Sequence, residues 1–138
     1  MLAKMMTLLG LLGLATTTVG WAACNGADPK VTNVSVKDVS SDGNLNHYQI
    51  TGTVVNLGSQ AQPSNTLQFV DIFMDSDKVD TKGIPPLKPG ESYTFTYVSK
   101  RSADAANGTT PMRFVIDEVN RSTYLDCDAA ADSFAFTF

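Results

Sequence analysis

The sequence predicts an all-β fold, an immunoglobulin-like sandwich of two sheets with about seven strands, and three observations carry that prediction. Strand-like runs recur at intervals of roughly eight to twenty residues, clusters of Gly, Pro, Asn, Asp and Ser separate them, and no stretch sustains a helical period. With the N-terminus set aside, the rest of the 138 residues suits one such domain.

Residues 1–22 have the layout of a secretory signal. Lys4 supplies the cation, Leu8 to Leu14 the apolar centre, and Gly20, Ala22 and Ala23 the small residues of a cleavage site. The apolar centre is too short, and too interrupted by threonines, for a membrane span. The expectation is an exported domain over residues 23–138, secreted or, in a bacterium, periplasmic or on the cell surface. Loss of Lys4 with the signal makes the net charge of −4 one unit more negative. Such a modestly acidic surface argues against nucleic acid and anionic membranes as partners. The Lys100-Arg101 pair reads as a solvated loop.

The two cysteines, Cys24 and Cys127, are expected to pair in an oxidising compartment. Their bridge would close almost the whole domain into one loop, worth about 4–5 kcal/mol on the chain-entropy model. The competing reading is a lipoprotein acylated at Cys24, because Trp21-Ala22-Ala23-Cys24 matches a lipobox in its last three positions.

The first strand, Lys30 to Val39, sets Val34 and Val36 on one face and stops at the turn residues Ser40-Ser41-Asp42-Gly43-Asn44. The second, His47 to Asn56, alternates Tyr48, Ile50, Gly52 and Val54 with Gln49, Thr51 and Thr53, so one face is buried and the other wet. Leu67 to Met74 is an apolar run broken only by Gln68 and Asp71, as a central strand would be. Asp75-Ser76-Asp77 makes a tight connection into a short strand, Lys78 to Lys82. Ile84-Pro85-Pro86-Leu87-Lys88-Pro89-Gly90 cannot ladder, since prolines lack the amide donor, and must cross between sheets or follow an edge. Tyr93, Phe95 and Tyr97 then form an inward aromatic row. Met112, Phe114 and Ile116, and finally Phe134, Phe136 and Phe138, supply the inward faces of the last two strands.

Several of these stretches together resemble the CARDB family, the cell-adhesion-related domain found in bacteria. They are the strand end Val54-Val55-Asn56-Leu57-Gly58, the strand end Met74-Asp75, the crossover Ile84 to Glu91, the aromatic strand to Tyr97, and Phe114-Val115-Ile116-Asp117. The resemblance spans Pro29 to Phe138 and implies an extracellular sandwich similar to immunoglobulin and fibronectin type III domains. It places Asn56 and Gly58 where the second strand leaves its sheet. Asn for left-handed geometry and amide bonding, and Gly for positive φ, would make that ending structural rather than chemical. Where the family commonly carries an acidic, Asn-rich stretch, this chain has Tyr124-Leu125-Asp126-Cys127-Asp128.

The family register turns Val70, Ile72 and Met74 inward, which puts Phe69 and Phe73 outward beside Asp71 as a candidate contact surface. The third and sixth strands are neighbours in such a sandwich, so Asp71 is expected to pair with Arg113. First and last strands can run in parallel there, bringing Cys24 and Cys127 to one end with Cα atoms about 5–6 Å apart. The acidic group Asp71, Asp75, Asp77 and Asp80 invites a calcium reading but fails the EF-hand spacing, because Val79 stands at a ligand position. Asp126, Asp128 and Asp132 form a second, weaker set. The single histidine, His47, has no partner at a telling spacing, and there is no HExxH, nucleophile elbow, phosphate loop or CxxC. The expectation is a non-enzymatic, cofactor-free interaction or adhesion module whose partner is an extracellular protein or glycan. A carbohydrate-binding module using Phe69, Phe73 and Tyr124, a calcium-dependent domain and an envelope lipoprotein are the alternatives. Asn33, Asn107 and Asn120 head glycosylation sequons.

Overall fold

Alternating residues and frequent turn signals do produce seven strands among the described residues. A computed structural model of the chain describes residues 25–105, 108–119 and 133–138. The signal segment, Cys24, Asn107, Asn120, Tyr124, Asp126, Cys127, Asp128 and Asp132 lie outside the described residues. The strands are β1 (Pro29–Asp42), β2 (Leu45–Asn56), β3 (Leu67–Met74), β4 (Asp77–Ile84), β5 (Ser92–Ser102), β6 (Pro111–Val119) and β7 (Ser133–Thr137). They form two antiparallel sheets, β1-β2-β5 and β4-β3-β6-β7. β4 stays beside β3, whereas its counterpart in a constant-type immunoglobulin domain joins the other sheet. The proline-rich segment after Ile84 therefore crosses between sheets, as its missing amide donors require.

The two sheets meet through alternate residues. Ile50 and Val54 of β2, Val70 and Ile72 of β3, and Phe114 of β6 are all fully buried. Phe95 packs over Gly52, where a Cβ would run into its ring. The aromatic row of β5 is only partly inward: Phe95 is buried, Tyr97 half-buried and Tyr93 39% exposed. β5 is the outer strand of its sheet, so only the middle of its row meets the opposite layer. Among the described residues no helix is long and apolar enough to cross a membrane.

Arg101 corrects the solvated-loop reading. β5 continues through it, and strand alternation places it with Phe95, Tyr97 and Ser99 on the inner side. Its guanidinium lies 4.6 Å from the ring centres of both Tyr48 and Phe138. It donates to the Phe138 main-chain oxygen at 2.8 Å, to Tyr48 Oη at 3.2 Å and to Thr110 Oγ1 at 3.4 Å. One cation thus ties β2, the end of β5 and the segment that closes β7. Lys100 alone of the pair is solvated.

The ending of β2 is structural, as expected, but by a different device. Neither Asn56 nor Gly58 takes positive φ; among the described residues the non-glycine that does so is Asp75, at 54° in the β3–β4 turn. Asn56 is instead fully buried. Its side-chain oxygen accepts from the Asp28 and Gly58 amides, both at 2.9 Å, and its nitrogen donates to Gln60 O at 2.9 Å and Leu87 O at 3.0 Å. Gly58 is required by close approach, because a Cβ there would run into the Gly26 carbonyl and stand 2.7 Å from the Asp28 nitrogen. Next along the chain, Gln62 and Gln68 exchange reciprocal amide bonds of 2.9 and 2.8 Å. Gln62 also accepts from the Leu87 amide and Gln68 donates to Pro85 O, each at 2.9 Å. The loop and the crossover are thereby fastened together around Leu87, which is 1% exposed.

Asn56→Ala strands two buried amides and two carbonyls, so it is expected to lower stability by about 3 kcal/mol or more, read from urea denaturation at unchanged m-value. Leu57→Ala, at an exposed neighbour, should stay within about 0.5 kcal/mol of wild type.

Candidate functional site

The inner residues of β3 dictate what its outer face presents. With Val70 and Ile72 buried and Met74 packed against the core, Phe69, Asp71 and Phe73 face away from the opposite sheet. Phe69 and Phe73 are half-buried. Across the sheet Phe69 stands opposite Gly83 and Asp117, Asp71 opposite Thr81 and Val115, and Phe73 opposite Lys78 and Arg113. Phe69 has no side chain beside it on β4, since Gly83 supplies none and open space lies above its Cα. Asp117 and Arg113 are exposed. The face therefore presents a half-buried aromatic at each end, with the buried carboxylate of Asp71 between them.

β3 and β6 are neighbours, as the sequence implies, but Asp71 does not take Arg113. The register sets Arg113 one pair along, opposite Phe73, and its guanidinium lies over that ring, 4.5 Å from the centre. Asp71 is held from the other side: Lys78 Nζ stands 3.2 Å away, and the Thr81 hydroxyl donates to Asp71 at 2.8 Å. Thr81 stands directly opposite this buried carboxylate and Lys78 reaches it diagonally, while Arg113, equally diagonal, covers the Phe73 ring instead. Sequence reading missed Gly83, Thr81 and Lys78 as neighbours of this face. The signal for Gly83 was available, since a glycine inside a strand marks a place where no side chain packs.

The acidic quartet does not converge. Asp80 pairs with Ile72 in the ladder, so it points to the face opposite Asp71. Lys82 Nζ stands 3.0 Å from Asp80, and the Thr81 amide donates to it at 2.8 Å. These partners, Lys82 first, hold its carboxyl below its ordinary value of 3.8. Asp75 sits in the turn and Asp77 opens β4, both exposed. Among the described residues no three His, Cys, Asp or Glu side chains assemble as a metal-holding group. His47 lies within β2, the central strand of its sheet, opposite Ser40 and Lys100. Neither cross-strand neighbour is a carboxylate that could orient it for catalysis. Asn33, the one sequon asparagine among the described residues, is exposed on β1.

Breaking the Arg113–Phe73 contact by Arg113→Ala should cost about 0.5–1 kcal/mol, as for an exposed cation over a ring. A double-mutant cycle with Phe73→Leu should return a coupling of similar size. For Asp80 the folded pKa is depressed, so its contribution is present above the unfolded value and is lost as pH falls through the folded one. Wild type should therefore melt above Asp80→Asn at neutral pH, and the gap should close on acidification.

This geometry has relatives. The family model for CARDB matches residues 28–123. The crystal structure of the CARDB domain of the PF1109 protein from Pyrococcus furiosus, in complex with di-metal ions, superposes with a TM-score of 0.55 at 16% identity. That superposition covers 81% of this chain and 91% of the other. The solution NMR structure of the same domain gives a TM-score of 0.51 at 17% identity, over 80% and 91% of the two chains. At such identities the superpositions speak for the fold alone. No curated protein matches the chain. The family match covers most of the chain, agrees with the two-sheet architecture, and includes both Asn56 and the β3 face: the chain belongs to the CARDB family.

Proposed function

We propose that this CARDB domain is a secreted, non-catalytic interaction module that binds an extracellular protein or glycan through the outer face of the β4-β3-β6-β7 sheet. The observation that carries the reading is Phe69, a half-buried aromatic on an outer face with Gly83 on one side and an exposed Asp117 on the other. An aromatic left open in that way costs hydration and offers a partner a large, rigid contact. Asp71, Phe73 and Arg113 complete the patch. Asp71 is buried and neutralised by Lys78, while Arg113 and Asp117 remain exposed, so a partner meets an amphipathic surface. The PF1109 domain was solved with di-metal ions. A metal-dependent version of the reading finds no support among the described residues, where Asp71 and Asp80 face opposite ways and each has a lysine.

Export and a Cys24–Cys127 bridge belong to the same proposal. Pro29 at the start of β1 pairs with Asn56 at the end of β2, and Leu67 at the start of β3 pairs with Val119 at the end of β6. The Asn56 and Gln62–Gln68 networks join these at one end of the sandwich, which favours bringing together the segments that lead to the two cysteines.

Screening the mature chain against glycan arrays and panels of extracellular proteins, then measuring each hit with variants, tests the binding face. Phe69→Ala should weaken a genuine hit at least about tenfold, roughly 1.4 kcal/mol, while Thr51→Ala on the opposite sheet leaves it unchanged. Equal binding by wild type and Phe69→Ala would move the contact elsewhere. For the bridge, intact mass of the secreted chain should gain two alkyl groups only after reduction. A diacylglycerol-sized addition at Cys24 would instead make the protein an anchored lipoprotein.

A further inference from the structure

Four strands lie at sheet edges among the described residues: β1 and β5 in one sheet, β4 and β7 in the other. An edge exposes a row of main-chain donors and acceptors, and proteins usually blunt it with bulges, charges, prolines or brevity. β1 has two register shifts, between Val31 and Asn33 and between Asp38 and Ser40, and carries Lys30, Lys37 and Asp38. β4 carries Lys78, Asp80 and Lys82, with a shift in its ladder between Ile72 and Phe73 of β3. β7 is only 5 residues long.

β5 lacks these devices over most of its length and carries charge only at its end, at Lys100 and Arg101. It is 11 residues long, and its ladder with β2 runs from Ser92 to Ser102 without a shift. No proline interrupts it, and no charge occurs from Ser92 through Ser99. Tyr93 is 39% and Val98 56% exposed.

We propose that β5 pairs edge to edge with β5 of a second copy of this chain, joining the two three-stranded sheets across a twofold axis near Thr96. The uncharged run Ser92 through Ser99 needs a mate that can ladder along its whole length: β1 and β4 are charged and shifted, and β7, though uncharged and unshifted, has only 5 residues, so among the described edges β5 itself is the match. In this antiparallel register Phe95 of one copy faces Tyr97 of the other, Thr94 faces Val98, and Lys100 faces Ser92. Aromatic and β-branched pairs of this kind stabilise a ladder, and no like charges meet. The register is also bounded on both sides. Sliding the axis one way brings the two copies' Lys100 residues together, and sliding it the other way does the same for Glu91. An interface of this kind is isologous, as twofold dimers require. It uses the sheet opposite the Phe69 face, so its test does not bear on the proposed binding role.

Analytical ultracentrifugation of the mature full-length chain decides the matter. Wild type should sediment at twice the monomer mass. Thr96→Lys, which sets two lysines side by side at the axis, should halve that mass while leaving the circular dichroism spectrum unchanged. Thr51→Lys, on the same face but one strand further from the axis, should remain dimeric. Val98→Lys serves as a second interface variant should Thr96→Lys fold poorly. The proposal is overturned by a wild type that is monomeric at every concentration, by dimers that survive Val98→Lys and a folded Thr96→Lys, or by a Thr51→Lys variant that dissociates equally.

Discussion

The side chain of Asn56 holds four groups drawn from three parts of the chain: the approach to β1, the loop after β2, and the crossover 31 residues further on. Its main chain adds two more contacts, donating to Glu91 O at 3.1 Å and accepting from the Gly90 amide at 2.8 Å. An amide side chain offers two donors and an oxygen with two lone pairs, and here all are used. In a site without solvent access, a fully satisfied network of this kind admits one arrangement of its partners, because any other leaves a buried polar group alone. Asparagine is the residue that fits: aspartate lacks the donors and glutamine has a longer reach.

From that point the rest of the sandwich can close. The crossover cannot hydrogen-bond as a strand because of its prolines, so side-chain amides hold it, Asn56 and Gln62 through Leu87 and Gln68 through Pro85. Leu87 is thereby kept between the sheets, in the same cluster as Ile84, Val54 and Val70. At the other end Arg101 does the corresponding work, using both charge and ring contacts to bind Tyr48 and Phe138. A buried cation is expensive unless it is engaged, and two aromatic rings together with three hydrogen-bond acceptors on its terminal nitrogens engage this one. Polar networks at the two ends and an apolar middle thus divide the labour of holding the sheets.

The proposed function draws on what this arrangement leaves on the outside. The outer face of β3 combines half-buried aromatic surface with a buried carboxylate neutralised by Lys78, and the proposed contact role rests on that combination. Lys78 and Lys82 each stand against a carboxylate that a metal would otherwise seek. The open strand edge lies in the opposite sheet, so the proposed binding and the proposed self-association call on different surfaces.

The alternation of apolar residues in Leu67 to Met74 and Met112 to Ile116, with turn residues between runs, was enough to read seven strands, the span of β3 and the inward sides of β2, β3 and β6, because period-two burial is written locally. The family was legible through the resemblance of its short motifs, and the outward placement of Phe69 and Phe73 followed from the register that this resemblance implies. Tertiary structure alone decided the rest. Arg101 looked like a solvated cation because the rings that enclose it come from positions 53 residues before and 37 after it. Asn56 looked like a turn residue because its partners lie as far away as Asp28 and Leu87. Asp71 was assigned to Arg113 because adjacency of strands can be inferred from the fold, whereas the register that sets Thr81 beside it and brings Lys78 within reach comes from a bulged ladder that no local pattern encodes. A sequence specifies which side of a strand is buried, since that depends on the residue itself. Which distant group satisfies a buried polar atom depends on how the strands come together, and only the assembled sandwich determines it.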